Sequence, residues 1–275
     1  MKTRLFALFF ALIFLLCGCQ SAEKAQTGSL PGLTVTFLSV GAADCIVLET
    51  DGHAAMVDAG HNGDAEDILA YLDKQGIKKL DFLLLTHLDK DHIGGADILM
   101  ENISIGTVYA PDYNKGNKQY EQYVAALDAL GIAPVHPTEP VYLMLGHAQL
   151  TLLPGNKAEY EQSNDYSIMA ELVYGENTFL FAGDAEEERL REYLTGNPLK
   201  DIDVLKVPHH GRQNALSEEF FAYVKPVYAV ITCEEKEMPD DAVVNYLNAL
   251  DAEVYGTMYG TVTVYTDSTN LTVKQ

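Results

Sequence analysis

Two short segments dense in histidine and aspartate constrain this chain more than any other feature. THLDKDHIGG (residues 86–95) follows the apolar run LDFLLL, and Pro208-His209-His210-Gly211 closes DVLKVPHHG about 120 residues later. Each sits at the C-terminal end of a strand-like run. Charged and titratable groups at a buried strand end are costly unless something compensates them. A divalent cation would do so, and a fold that brings both strand ends to one edge would place the two clusters in one site. On an extended segment His87 and Asp89 leave on one face. Asp91 and His92 are adjacent and can reach across a tight turn, and Gly94 and Gly95 let the backbone pass close. Imidazole with carboxylate suits zinc, manganese or iron(II). The plain alternative is a solvated charged loop; the preceding LLL and the flanking glycines argue against it. Asp184, after TFLFAG, reads either as a ligand or as a helix cap. The pair His209 and His210 reads as ligands or proton-transfer groups.

The chain's 275 residues, 48% of them hydrophobic, suffice for one substantial core. LTVTFLSV, CIVLET and AAMVDAG open as a β-meander, and AEDILAYLDKQGI reads as an amphipathic helix stopped by Gly76. Strands and helices then alternate through two comparable halves without a low-complexity linker. That order fits one sandwich of two β-sheets flanked by helices.

Lys2 and Arg4 precede the uncharged run LFALFFALIFLL, which has the form of a secretory signal rather than a membrane span. It ends Leu16-Cys17-Gly18-Cys19, which resembles a bacterial lipobox, so residues 1–18 are expected to be a lipoprotein signal peptide with lipid attachment at Cys19. Residues 19–32 read as a flexible tether and residues 33–275 as the folded domain. The expected location is the outer face of the bacterial cell membrane. Cys45 and Cys233 lie in apolar strand-like segments and read as buried free thiols, and the absence of CxxC argues against a thiolate zinc site. The formal charge of −22 argues against a stable nucleic-acid complex, which needs a basic footprint.

FLSVGAADCIVLET, MVDAG, THLDKDHIGG, NDYSIMAEL, FLFAGD, DVLKVPHHG and YGTVTVYT run in this order through nearly the whole mature chain. With them the chain resembles the metallo-β-lactamase-fold hydrolases. More narrowly, it is similar to the hydrolase domain at the C-terminus of the DNA-uptake channel protein of competent bacteria. The resemblance implies an α/β (α+β) fold, an αββα sandwich of two mixed β-sheets flanked by helices, with two divalent metal ions, zinc or manganese, at one edge. It implies that His87 and Asp89 face one ion, that Asp91 and His92 face the other, that Asp184 bridges them and that His209 completes the second site. His210 would be an outer-sphere or catalytic imidazole; sequence leaves open which of the pair ligates. Asp91 and His210 are the residues assigned to catalysis. Asp58 would brace the metal loop, and Asn164 and Ser167 stand where the broader superfamily supplies another His. Asp89 replaces the commoner His, a trait of the narrower family, and makes the first site oxygen-rich, which favours manganese there. Arg212, Gln213 and Asn214 follow HHG where the narrower family usually has Ser and Lys.

The expected chemistry is hydrolysis by a metal-bridged hydroxide, its water's pKa lowered by two cations, with His209 or His210 protonating the leaving group. A phosphodiester of extracellular nucleic acid or of a phosphate-containing polymer is the expected substrate. Hydrolysis of a lactone or an amide of β-lactam type, or a non-catalytic metal-binding lipoprotein, are the alternatives. A monomer is expected, tied to the membrane only through its lipid.

Overall fold

The computed structural model describes residues 31–275 apart from 197, 198 and 200; Cys19 and the rest of segment 1–30 lie outside the described residues. The chain opens with the antiparallel strands β1 (Leu33–Phe37), β2 (Ile46–Thr50) and β3 (His53–Val57). Helix α1 (Ala65–Gln75) buries Ile68 and Leu72 and is stopped by Gly76, whose φ of 76° suits a residue without a side chain. Strand β4 (Lys79–Leu84), helices α2 (Lys90–Ile93) and α3 (Ala96–Asn102), strand β5 (Ser104–Tyr109) and helix α4 (Lys118–Leu130) complete the first half.

The second half begins with β6 (Val141–Leu145), β7 (Ala148–Leu153), β8 (Met169–Tyr174) and β9 (Asn177–Phe181). Helix α5 (Glu187–Thr195), strand β10 (Val204–Lys206), helix α6 (Ser217–Val224), strand β11 (Tyr228–Ile231), helix α7 (Asp241–Ala249) and strand β12 (Glu253–Gly256) follow. The last hairpin, β13 (Val262–Thr266) and β14 (Leu271–Lys274), returns to the first sheet.

The two sheets have the orders β14-β13-β1-β2-β3-β4-β5 and β12-β11-β10-β9-β8-β7-β6. Both are mixed: β3, β4 and β5 run parallel, as do β9, β10, β11 and β12, and the remaining pairs are antiparallel. Apolar residues facing inward from both sheets form the central core, where Phe37 and Phe181 meet with ring centroids 6.3 Å apart. Helices α1, α3 and α4 cover the outer face of the first sheet, and α5, α6 and α7 cover that of the second. This is the αββα sandwich. Among the described residues no helix is long and apolar enough to cross a membrane, and Cys45 and Cys233 are buried free thiols.

Neighbouring parallel strands have their C-terminal ends at the same edge of a sheet. The C-terminal ends of β4, β9 and β10 therefore lead into the loops that hold the histidines and aspartates. Phe37→Ala and Phe181→Ala should each lower unfolding free energy by about 3–5 kcal/mol. Because the rings touch across the sheets, the double variant should cost measurably less than the sum in urea titrations; strict additivity would place them in independent cores.

Candidate metal centre

Three strand ends and one hairpin loop build the centre. The chain leaves β4 through Thr86, His87, Leu88 and Asp89 and turns into the single-turn helix α2, which carries Asp91 and His92. Gly94 makes that turn possible: a Cβ there would lie 2.4 Å from the Asn62 amide nitrogen and from the Lys90 carbonyl. Asp184 follows β9 after Gly183, whose φ is +54° and whose Cβ would lie 2.9 Å from that of Thr86. Only glycine lets the second sheet's strand end come this close to the metal loop of the first. The metal loop is also stitched to the segment ahead of β8, where the Ile168 amide donates to the Thr86 carbonyl at 2.8 Å.

Asp91, His92, Asp184 and His210 present ligand atoms that all lie within 4.8 Å of one another. Asp184 Oδ2 is 3.3 Å from His92 Nε2 and 3.3 Å from His210 Nε2, and Asp91 Oδ2 is 3.4 Å from His210 Nε2. The His87 ring packs 4.1 Å from that of His92, centroid to centroid. The Nε2 atoms of His87, His92 and His210 are all buried and lack a hydrogen-bond partner. Unsatisfied imidazole nitrogens aimed beside carboxylate oxygens are a donor set that fits a divalent cation. The opposite edges of these ligands are held. His92 Nδ1 meets Asp58 Oδ2 at 2.8 Å, and Asp58 also accepts from the Thr86 amide and hydroxyl. Ser167 Oγ accepts from the Asp184 amide at 3.1 Å. His210 Nδ1 lies 2.8 Å from the Thr232 carbonyl.

The charges are strongly coupled. Burial alone would push the Asp184 carboxyl up, but the His210 and His92 imidazoles and the Lys206 ammonium hold it well below the usual carboxylate range. Burial opposes the charge on His92, yet Asp184 and Asp58 raise it well above an ordinary imidazole. His210, equally desolvated, is raised to about 9 by Asp184 and Asp91. Burial and then the neighbouring His92 charge push His87 down to about 3. Against its own burial, Asp91 is kept acidic by His210 and His92. Without a metal, the carboxylates thus favour the charged forms of His92 and His210.

Several expectations meet a different local arrangement. His209, expected to complete the second site, turns away: its Nδ1 is 3.1 Å from Glu186 and its Nε2 is 3.3 Å from Asn164 Nδ2. His210 takes the place among the ligand atoms. The cause is the backbone, since both residues adopt left-handed φ, 47° and 50°, and successive left-handed residues throw the two rings apart. His87 and Asp89 do not share partners: the His87 ring packs on His92, while Asp89, still extended ahead of α2, meets Lys115. The Asp89 carboxylate lies 2.5 Å from Lys115 Nζ and 3.2 Å from Ser163 Oγ. Asp184 does not cap a helix; Asp165 Oδ1 accepts from the amides of Glu186 and Arg189 at the start of α5. Asn164 donates to Glu186 at 2.9 Å, at the rim. Two charged residues behind the cluster were missed, Asp44 and Lys206, buried and 2.5 Å apart. Asp44 belongs to the GAADC stretch and Lys206 to DVLKVPHHG, so both lay within recognisable segments without any spacing that marked them.

The model of the Metallo-beta-lactamase superfamily matches residues 38–233. The ComE operon protein 3 of Bacillus subtilis (strain 168) is 30% identical over 60% of this chain and 21% of its own length. Recombination protein 2 of Haemophilus influenzae is 27% identical over 74% of this chain and 24% of its own. The chain thus spans only about a quarter of these relatives. Among solved structures, Igni18, a metallo hydrolase from the archaeon Ignicoccus hospitalis, matches with a TM-score of 0.55 and 18% identity, over 84% of this chain and 98% of its own.

The raised His210 makes a pH prediction for the metal-free protein. Its folded value, about 9, exceeds the ordinary 6.5, so the stability it contributes is complete below pH 6.5 and is lost as pH rises through about 9. Urea midpoints in a chelator should fall across that window for the wild type and fall less for His210→Gln; identical slopes would contradict the placement.

Proposed function

The chain belongs to the metallo-β-lactamase superfamily, and from that membership we propose a dinuclear metal-dependent phosphodiesterase of the bacterial cell envelope, lipid-anchored at Cys19. One observation carries the reading: buried, unsatisfied imidazole nitrogens converge with Asp91 and Asp184 at one edge of the sandwich. His92, Asp91, Asp184 and His210 would hold one ion, and His87 would serve the second together with Asp89, were that carboxylate to leave Lys115. Divalent ions bound there supply Lewis acidity and lower the pKa of water toward neutrality.

The protein's own groups do the rest. Asp58 and Thr232 fix the ring orientations of His92 and His210, so that Nε2 faces inward in both. His209 stands at the rim, 29% exposed, with Nδ1 against Glu186. With Glu186 on Nδ1 and the Asn164 amide 3.3 Å from Nε2, His209 is the proposed general acid, its charged ring giving the Nε2 proton to a departing oxygen once substrate displaces Asn164. Lys115, beside Asp89 and Ser163, puts one cation at the mouth of a chain whose net charge is −22. A single cation supports brief contact with a phosphodiester, not a stable nucleic-acid complex. Similarity to Recombination protein 2 favours a nucleic-acid substrate over an envelope polymer.

The test uses protein lacking residues 1–32, assayed on bis-p-nitrophenyl phosphate, plasmid DNA and nitrocefin with zinc or manganese. Turnover of the phosphodiesters, abolished by chelator, is expected; turnover of nitrocefin alone would overturn the reading. His209→Gln should lower kcat by about 10²–10⁴-fold while keeping its metal. His210→Gln should lose bound metal on elemental analysis. The opposite pattern would exchange the two roles.

A further inference from the structure

A further buried acidic residue behind the centre reaches Asp184 through Lys206, His210 through Thr232 and Asp91 through its own amide. Asp44 lies in the loop between β1 and β2, ahead of both histidine motifs in sequence, and is 1% exposed. Its Oδ2 is 2.5 Å from Lys206 Nζ, and that ammonium donates to the Gly183 carbonyl at 2.9 Å and lies 3.4 Å from Asp184 Oδ1. Its Oδ1 accepts from Thr232 Oγ1 at 2.6 Å, and Thr232 holds His210 Nδ1 through its carbonyl at 2.8 Å and its hydroxyl at 3.0 Å. Oδ2 is 3.9 Å from His92 Nδ1. The Asp44 amide donates to the Asp91 carbonyl at 3.1 Å, and its own carbonyl accepts from Gly60 at 2.8 Å.

We propose that Asp44 is a positioning residue for the metal centre: one carboxylate, acting through Lys206 and Thr232, sets the orientation of Asp184 and His210 together. The inference rests on the metal-centre reading above. Asp44, Asp58 and His92 by themselves have the spacing of a cation site, but the Lys206 ammonium already supplies the positive charge there. Asp184 turns Oδ1 toward that ammonium and is left with Oδ2 facing the Nε2 atoms of His92 and His210. A lysine free of Asp44 would be drawn wholly to Asp184 and would compete with the metal for it. Asp44 thus keeps the ammonium shared and Asp184 available. The same carboxylate fixes the Thr232 hydroxyl, and with it the ring of His210.

The test separates positioning from plain structural support. Asp44→Asn keeps the shape but removes the charge. Asp44→Asn with Lys206→Gln removes the ammonium that would otherwise be left unpaired. Melting temperature of the metal-free protein and zinc and manganese affinity by calorimetry are measured for the wild type and both variants. The expected result is affinity about 10- to 100-fold weaker in Asp44→Asn, the range typical of groups that orient metal ligands, and affinity partly regained in the double variant, which lacks the ammonium that would compete for Asp184. A double variant that binds metal no better than Asp44→Asn although its melting temperature has recovered would exclude competition by Lys206 and overturns the proposal, as does an Asp44→Asn protein that melts lower but binds metal like the wild type. Should Asp44→Asn not fold, Thr232→Val removes one arm alone, and unchanged affinity there and in the double variant counts against the proposal equally. A wild type that binds neither ion sinks the metal centre itself, a distinguishable failure.

Discussion

Mutual repulsion among carboxylates governs this edge of the molecule. Asp44, Asp58 and Asp184 are all buried, with Asp91 beside them. Two like charges about 4 Å apart repel by about 4 kcal/mol at an effective dielectric of 20, so the group can be closed off from water only with positive charge at its centre. Lys206 provides one positive charge, and the carboxylates in turn favour protons on His92 and His210. A metal would replace those protons, which ties affinity to pH as in any site whose ligands must first deprotonate. Removing one member of such a set leaves an uncompensated buried charge, which is why the ligands and their supports stand or fall together.

The backbone shares in the cost. Asp58, His209 and His210 all have positive φ, at 58°, 47° and 50°. Non-glycine residues hold this conformation only where their surroundings over-determine it. Here the determining contacts are the centre's own: Thr86 and His92 on Asp58, and Thr232 on His210. The strain and the ligand geometry come from the same few residues.

The elements and the first motif were legible because both are local. Strand alternation, glycine-stopped helices and the THLDKDH run need only neighbours in the chain to be read. The roles within the second pair were not legible, since a left-handed turn at His209 and His210 decides which ring faces inward and no spacing rule encodes it. Asp89 looked equivalent to its neighbours because its partner, Lys115, arrives from the loop between β5 and α4. Asp44 is one aspartate among small residues, and Lys206 is one lysine inside an apolar strand; their meaning appears only when the halves meet. Strand β6 escaped notice because VYLML is apolar on both faces and shows no alternation, with Val141 and Leu143 against the core and Tyr142 and Met144 79% and 61% exposed on an edge. The N-terminal motif ending at Cys19 lies outside the described residues.

Strand β1 lies between β2, its immediate successor, and β13, which pairs Val264 with Val35. The first sheet therefore keeps an open, apolar flank until nearly the whole polypeptide has emerged from the ribosome. Long-range pairing of this kind is slow, and unpaired edges invite association with other chains. A nascent chain would need shielding over most of its synthesis, and loss of the final hairpin would expose that flank for good.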